Sequence, residues 1–273
     1  NYDEDEESWI NESASEAAMV VNGYTTDEEF LPYFAEDPDQ SLVETSYVNY
    51  GIMLLWGTYL YERFGIDFLH TLVSEEANGL AGLDQALADA GVGMTSWDLF
   101  LDWVVANRLD EPGIYDGIYG YASLDLPPFA DSAVVSGDAA RSVQGRVSPY
   151  AADYIRIEAI PSDTLHLSLS SPRTEDLGLR LIRLEGNAGQ IVVEPIDPAE
   201  AEGGIEVTEI PPEATLVLVV AAKGRRDLSY TVDIGESGGV CAFLPLQGRK
   251  NAAILLFFFP TLLLLRRRRL SQI

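Results

Sequence analysis

Two glutamates four residues apart, Glu12 and Glu16, lie in the stretch Trp9-Ile10-Asn11-Glu12-Ser13-Ala14-Ser15-Glu16. On a helix that spacing stacks both carboxylates on one face. Beside Trp9, Ile10 and Met19 they would repel each other and lose solvation, and a nearby cation would relieve both costs. The plainer reading is that of acids near a helix start, complementing its dipole. A second run, Asp3-Glu4-Asp5-Glu6-Glu7, has enough carboxylates to recruit calcium. It lacks the glycine and alternating spacing of a defined calcium loop, which makes it a solvated acidic segment. The histidines add little: His70 falls on a short helix in Phe68-Leu69-His70-Thr71-Leu72, and His166 alternates outward on a strand. Neither has ligand spacing, so both are structural or solvated.

Stepping along the 273 residues, charge and periodicity change together. Residues 1–132 hold 27 Asp and Glu against only Arg63 and Arg108, and the whole chain carries a formal charge of −27. Such a polyanion repels a phosphate backbone, so nucleic acid is excluded as a general partner. A hydrophobic share of 47% is enough to bury a core. One cysteine leaves no internal disulfide framework.

The first zone has helical periodicity. A helix is expected from Ser8 to about Val21, ended at Asn22-Gly23, and a long buried one from Leu42 to Phe64. Shorter helices follow at about Asp67–Glu76, Leu80–Ala90 and Ser96–Asn107. Residues 124–134, with Pro127-Pro128, form a linker. The next zone alternates with period two, giving about seven strands: Tyr154–Ile160, Leu165–Leu169, Leu179–Leu184, Gln190–Ile196, Ile205–Ile210, Thr215–Ala221 and Leu228–Ile234. The expected class is a multidomain α+β chain: helices over 1–123, then an antiparallel β-sandwich or jelly roll over 135–235.

Residues 236–273 form a tail. Gly238, Gly239 and Cys241 precede an apolar run from Ala252 to Leu265 and then Arg266–Arg269. Fourteen residues rise about 21 Å as a helix, short of the roughly 30 Å hydrocarbon core. The arginines carry the positive-inside signature, and the tail is expected to be a transmembrane or membrane-directed anchor.

Trp9-Ile10-Asn11-Glu12 with Ser15-Glu16 resembles the third-ligand helix of gluzincin zinc peptidases, whose pattern is Asn-Glu-x-x-Ser-Asp/Glu. The resemblance extends to the hyicolysin-like and immune-inhibitor-like secreted bacterial group through Asn49-Tyr50-Gly51-Ile52-Met53-Leu54-Leu55-Trp56-Gly57 and the residues up to Gly65, and through Asp102-Trp103-Val104-Val105-Ala106-Asn107. It covers about residues 1–122. It implies a helical peptidase subdomain, with Glu12 as a zinc ligand and Glu16 orienting a ligand histidine. It also implies Tyr50, or else Tyr47, as a hydrogen-bond donor to the developing oxyanion. A tyrosine on a buried helix is otherwise a packing residue.

The chain departs from that family in having no His-Glu-x-x-His, and one carboxylate will not retain a catalytic zinc. Its start at Asn1 is read as a cut just after that motif. The expected function is therefore the C-terminal portion of a secreted, surface-anchored zinc endopeptidase acting on proteins or peptides, inactive as this chain alone. The alternative is a non-enzymatic surface binding or adhesion protein on a degenerate peptidase scaffold. Residues 135–235 loosely resemble the pre-peptidase C-terminal modules of secreted peptidases. The tail resembles Gly-Gly or Cys-type sorting signals, which implies a processing protease acting near Gly238, Gly239 and Cys241. Cys241 is then the attachment or lipidation site. The implied location is the bacterial cell surface or outer membrane.

Overall fold

The structure, a computed structural model, describes residues 5–24, 26, 28–44, 50–186 and 189–235. The tail features expected at Gly238, Gly239, Cys241 and Ala252–Arg269, and Tyr47, lie outside these residues. Among the described residues there are seven α-helices and two mostly antiparallel sheets, an α+β fold.

Helix α1 (Ser8–Asn22) begins after Glu7 rather than with a capping Ser8 side chain, and Gly23 ends it at φ 67°. That left-handed turn lets the Gly23 and Tyr24 amides return to the last carbonyls of the helix. Helix α2 (Leu31–Glu36) was not expected, because a six-residue helix shows too little periodicity to stand out. Residues 42–44 form a turn, and α3 spans Tyr50–Phe64. Leu42 and Val43 thus lie outside the helix: Leu42 is buried, its amide donating to the Tyr150 carbonyl at 2.9 Å. Every residue of α3 from Gly51 to Leu60 is buried, as its all-round apolar sequence requires.

Helices α4 (Ile66–Leu72), α5 (Gly79–Asp89) and α6 (Ser96–Leu109) follow. Thr95 and Asp98 close a reciprocal capping box at the start of α6.

Nine strands build two sheets. β1 (Ala133–Ser136), β3 (Ala152–Glu158), β8 (Thr215–Ala222), β5 (Leu177–Glu185) and β6 (Gln190–Ile196) lie in that order in one sheet. β2 (Arg141–Val147), β9 (Leu228–Gly235), β4 (Leu165–Ser170) and β7 (Ile205–Val207) form the other. Among these nine strands of the described residues, β1 and β3 are the one parallel pair. The short helix α7 (Pro198–Glu202), capped by Asp197, lies between β6 and β7.

The layers follow from the period of two. Ile155 and Ile157 of β3, Leu179 and Leu181 of β5, and Leu218 and Val220 of β8 meet Leu167, Leu169, Val232 and Ile234 of the second sheet in one core. Tyr154, Ile182, Val217 and Val219 point the other way and join Trp103, Val104 and Trp56 in a second core. Helices, five-stranded sheet and four-stranded sheet therefore stack as three layers. The sequence of β8 is apolar throughout because both of its faces are covered.

The helix layer seats closely. A Cβ on Gly178 of β5 would come 2.7 Å from side-chain atoms of both Trp97 and Leu101, so α6 lies on the sheet where that side chain is missing. The Tyr154 hydroxyl donates to the Val104 carbonyl of α6 at 2.6 Å. Asp131 accepts from Arg108 of α6 and Arg156 of β3, both at 2.7 Å. The segment expected as a linker is pinned as well: Phe129 is buried edge-on to Phe34, and the Ala130 amide donates to the Ala35 carbonyl. The last residues of that segment already belong to β1. A core continues across it, and the described residues form one compact unit.

Candidate functional site

Helix α1 is oriented by its apolar residues. Trp9, Ile10 and Ala17 are buried against α3, and Trp9 stands 6.5 Å from Trp56 between ring centroids. Ser13, also buried, donates to the Trp9 carbonyl at 2.7 Å and lies 3.4 Å from the Met53 sulfur. Its own carbonyl faces Gly57, where a Cβ would come within 2.0 Å. The two helices meet backbone to backbone, which only glycine permits at that position.

This contact sets the two acids. Glu16 is 4% exposed, within the α1–α3 packing, whereas Glu12, one turn earlier, is half-buried at the margin of the packed stripe. Tyr50, at the start of α3, is half-buried, with its ring centroid 6.2 Å from that of Phe30. At i−3 from Met53 and i−7 from Gly57 it lies on the stripe of α3 that faces α1. It is about 10 Å along the helix from Gly57.

The acidic segment is not simply solvated. Glu6 accepts the Gly79 amide at the start of α5 at 2.8 Å, and Glu7 accepts the Trp9 indole N–H at 2.6 Å. Asn78 donates to the Asp5 carbonyl at 2.8 Å. These carboxylates serve the first turn of α5 and fix the entry to α1. His70 on α4 and His166 on β4 are both exposed, and they stand on different layers.

The transmembrane and zinc readings are cut back for the described residues. None of their helices is long and apolar enough to cross a membrane, and the segment expected to do so, Ala252–Leu265, lies outside them. Among the same residues no group of three His, Cys, Asp or Glu side chains is placed to hold a metal ion. A retained catalytic zinc takes three protein donors, and the resemblance assigns one here, Glu12. The described residues do not by themselves fit that metal, and no hydrolytic step can be derived from them.

What the sequence did not point to is a cleft of about 480 Å³ at the edge of the helix layer, lined by Tyr33, Asp37, Asp39, Glu44, Ser148 and Asp227 among others. Asp37-Pro38-Asp39 is its only local signal, and the rest converges from distant parts of the chain.

No family model matches the chain, and no curated protein matches it. Solved structures with partial likeness include Aeromonas hydrophila PliG, a periplasmic lysozyme inhibitor of g-type lysozyme. It is 11% identical, with 38% of this chain and 97% of that chain covered and a TM-score of 0.26. The Yersinia pseudotuberculosis-derived mitogen is 12% identical over 37% of this chain and 88% of its own, with a TM-score of 0.28. A mutant of the Escherichia coli PliG is 17% identical over 38% and 97%, with a TM-score of 0.25.

Proposed function

We propose that the chain is the supporting portion of a secreted, cell-surface endopeptidase of gluzincin type, and that it does not hydrolyse peptides by itself. The reading rests on one observation joined to the sequence resemblance. Glu12, the residue matching the family's third ligand, sits half-exposed beside a backbone-to-backbone helix contact, while its neighbours Trp9, Ile10, Ser13 and Glu16 are buried. A carboxylate so mounted is held by the packing of two helices rather than by a loop. Zinc, when bound to such a peptidase, polarises the scissile carbonyl and activates water. Within this chain, α1 and α3 hold Glu12 in place, and the sandwich behind them braces the helix layer. The proposed partners are a protein or peptide substrate and a protease that processes residues near Gly238–Cys241.

The test is zinc content and casein hydrolysis of the complete reading frame that encodes this chain, beside its Glu12→Gln variant and the isolated chain. One zinc per molecule and hydrolysis, both lost in Glu12→Gln and both missing from the isolated chain, is the expected result. A complete protein that binds no zinc and leaves casein intact overturns the reading in favour of a surface binding protein on the same scaffold.

A further inference from the structure

The cleft at the edge of the helix layer is a seam between that layer and the strands. On one side is the segment after α2, with Asp37, Asp39, Gln40, Ser41 and Glu44, and Tyr33 from α2 itself. On the other are Ser148 and Pro149, at the corner between β2 and β3, and Asp227 just before β9. Two backbone ties close the seam: the Ser148 amide donates to Asp39 Oδ1 at 2.6 Å, and the Leu42 amide donates to the Tyr150 carbonyl at 2.9 Å.

The charge facing Asp39 is nearly all of its own sign. Asp37 and Glu44 come from its own segment, and Asp227 is the residue just before β9. Behind them Asp153 of β3 is buried, accepting from the Tyr230 hydroxyl and from Ser132, both at 2.6 Å. The basic group near the seam is Arg146 of β2, which pairs with Asp227 at 2.9 Å on an exposed edge. Among the described residues no lysine or arginine lines the cleft. An ionised carboxylate at Asp39 is therefore partly desolvated and repelled from both sides, with hydrogen-bond support from one residue, the amide and hydroxyl of Ser148.

We infer that this seam is an acid-tightened latch, in which uptake of one proton by Asp39 strengthens the attachment of residues 37–44 to the β2–β3 corner. Burial, then the charges of Asp153 and Asp37, push the Asp39 carboxyl up to about 6, against the lowering effect of hydrogen bonds from the Ser148 amide and hydroxyl. Its proton is held more tightly in the closed seam than in an opened one. The added stability is thus fully present below the ordinary carboxylate range and is lost as pH rises through about 6. The neutral acid keeps an oxygen for the Ser148 amide, so that backbone tie survives protonation.

The experiment is amide hydrogen exchange on the whole chain from pH 4 to 7.5, corrected for intrinsic exchange rates and read at the Leu42 and Ser148 amides. Protection is expected to fall several-fold, about tenfold at most per pH unit, as pH rises from 4 to 6, and then to level off. Asp39→Asn, a permanently neutral side chain of the same shape, is expected to remain at the acid level throughout. Asp37→Asn, an exposed change that removes one of the repelling charges, is expected to move the midpoint to lower pH. Flat protection in the unaltered chain, an unchanged pH response in Asp39→Asn, or an unmoved midpoint in Asp37→Asn overturns the latch. Should Asp39→Asn fail to fold, the Asp37→Asn midpoint decides alone.

Discussion

Gly57 of α3 faces the Ser13 carbonyl of α1 so closely that a Cβ would stand 2.0 Å from the oxygen and 3.3 Å from the Ala17 Cβ. The obstacle is backbone rather than a flexible side-chain tip, so the helices must separate to admit even a methyl group. Gly57→Ala should therefore cost about 1–3 kcal/mol, the usual range for overpacking a tight core. Gly93→Ala is the control, since nothing lies within 4 Å of its Cβ position. Urea unfolding of the two variants checks the difference. Equal midpoints would show that α1 and α3 do not meet as described.

Tyr154 ties the sheet to α6 through its hydroxyl on the Val104 carbonyl. Its burial, the largest influence on it, raises the phenol well above its ordinary value, so it stays neutral and donating across any workable pH. Tyr154→Phe should lose about 1 kcal/mol, with the ring packing retained. Tyr24→Phe, at a residue 70% exposed, should change stability by less than about 0.5 kcal/mol. A thermal melt of each variant gives the comparison.

Asp131 serves two guanidinium groups from different layers, and its side chain is 15% exposed. Asp131→Asn keeps the shape but leaves Arg108 and Arg156 without their shared charge. Arg156 retains Glu158 beside it, whereas Arg108 keeps the Phe129 carbonyl at 2.8 Å and the face of the Tyr154 ring, with no other carboxylate paired to it among the described residues. The expected loss is about 1.5–3 kcal/mol, the range for hydrogen bonds to charged groups. Asp131→Asn and Arg108→Gln together should cost less than the sum of the two alone, and a double-mutant cycle measures that coupling.

Glu6 places a carboxylate on the first amide of α5. Glu6→Gln preserves an acceptor oxygen and removes the charge, so the loss should be modest, about 0.3–1 kcal/mol. Because Glu6 is only half-buried, the loss should shrink in 1 M salt, where the screening length is about 3 Å. A loss that persists at high salt would assign the effect to packing.

Where side chains alternate or repeat cleanly, the sequence was a good guide. Gln190–Ile196 matches its strand at both ends, and the helix expected from Ser96 begins there. β1 and β2 were missed for a physical reason. Val134 is half-exposed on an edge strand, and β2 buries only Val147 fully, so neither shows an apolar pattern. The start of the long helix was misplaced because Leu42 and Val43 are apolar for a different purpose, docking a turn on the strands. At the candidate site, the burial of Trp9 and Ile10 was legible from their helical spacing. The close approach of Ser13 to Gly57 was not, since it depends on how two helices cross. Nor was the acidic seam, which joins Asp39 to Ser148 across 109 positions of chain.

β8 has no side turned to water, and this bears on how the protein is made. Helices α1 to α6 are complete in sequence by Leu109, yet Val217, Val219 and Ala221, which cover part of their inner face, are synthesised about a hundred residues later. Until then a nascent chain carries helices whose apolar sides have no permanent cover. On the ribosome this is an interval in which a chaperone has a surface to hold and a neighbouring chain has one to stick to.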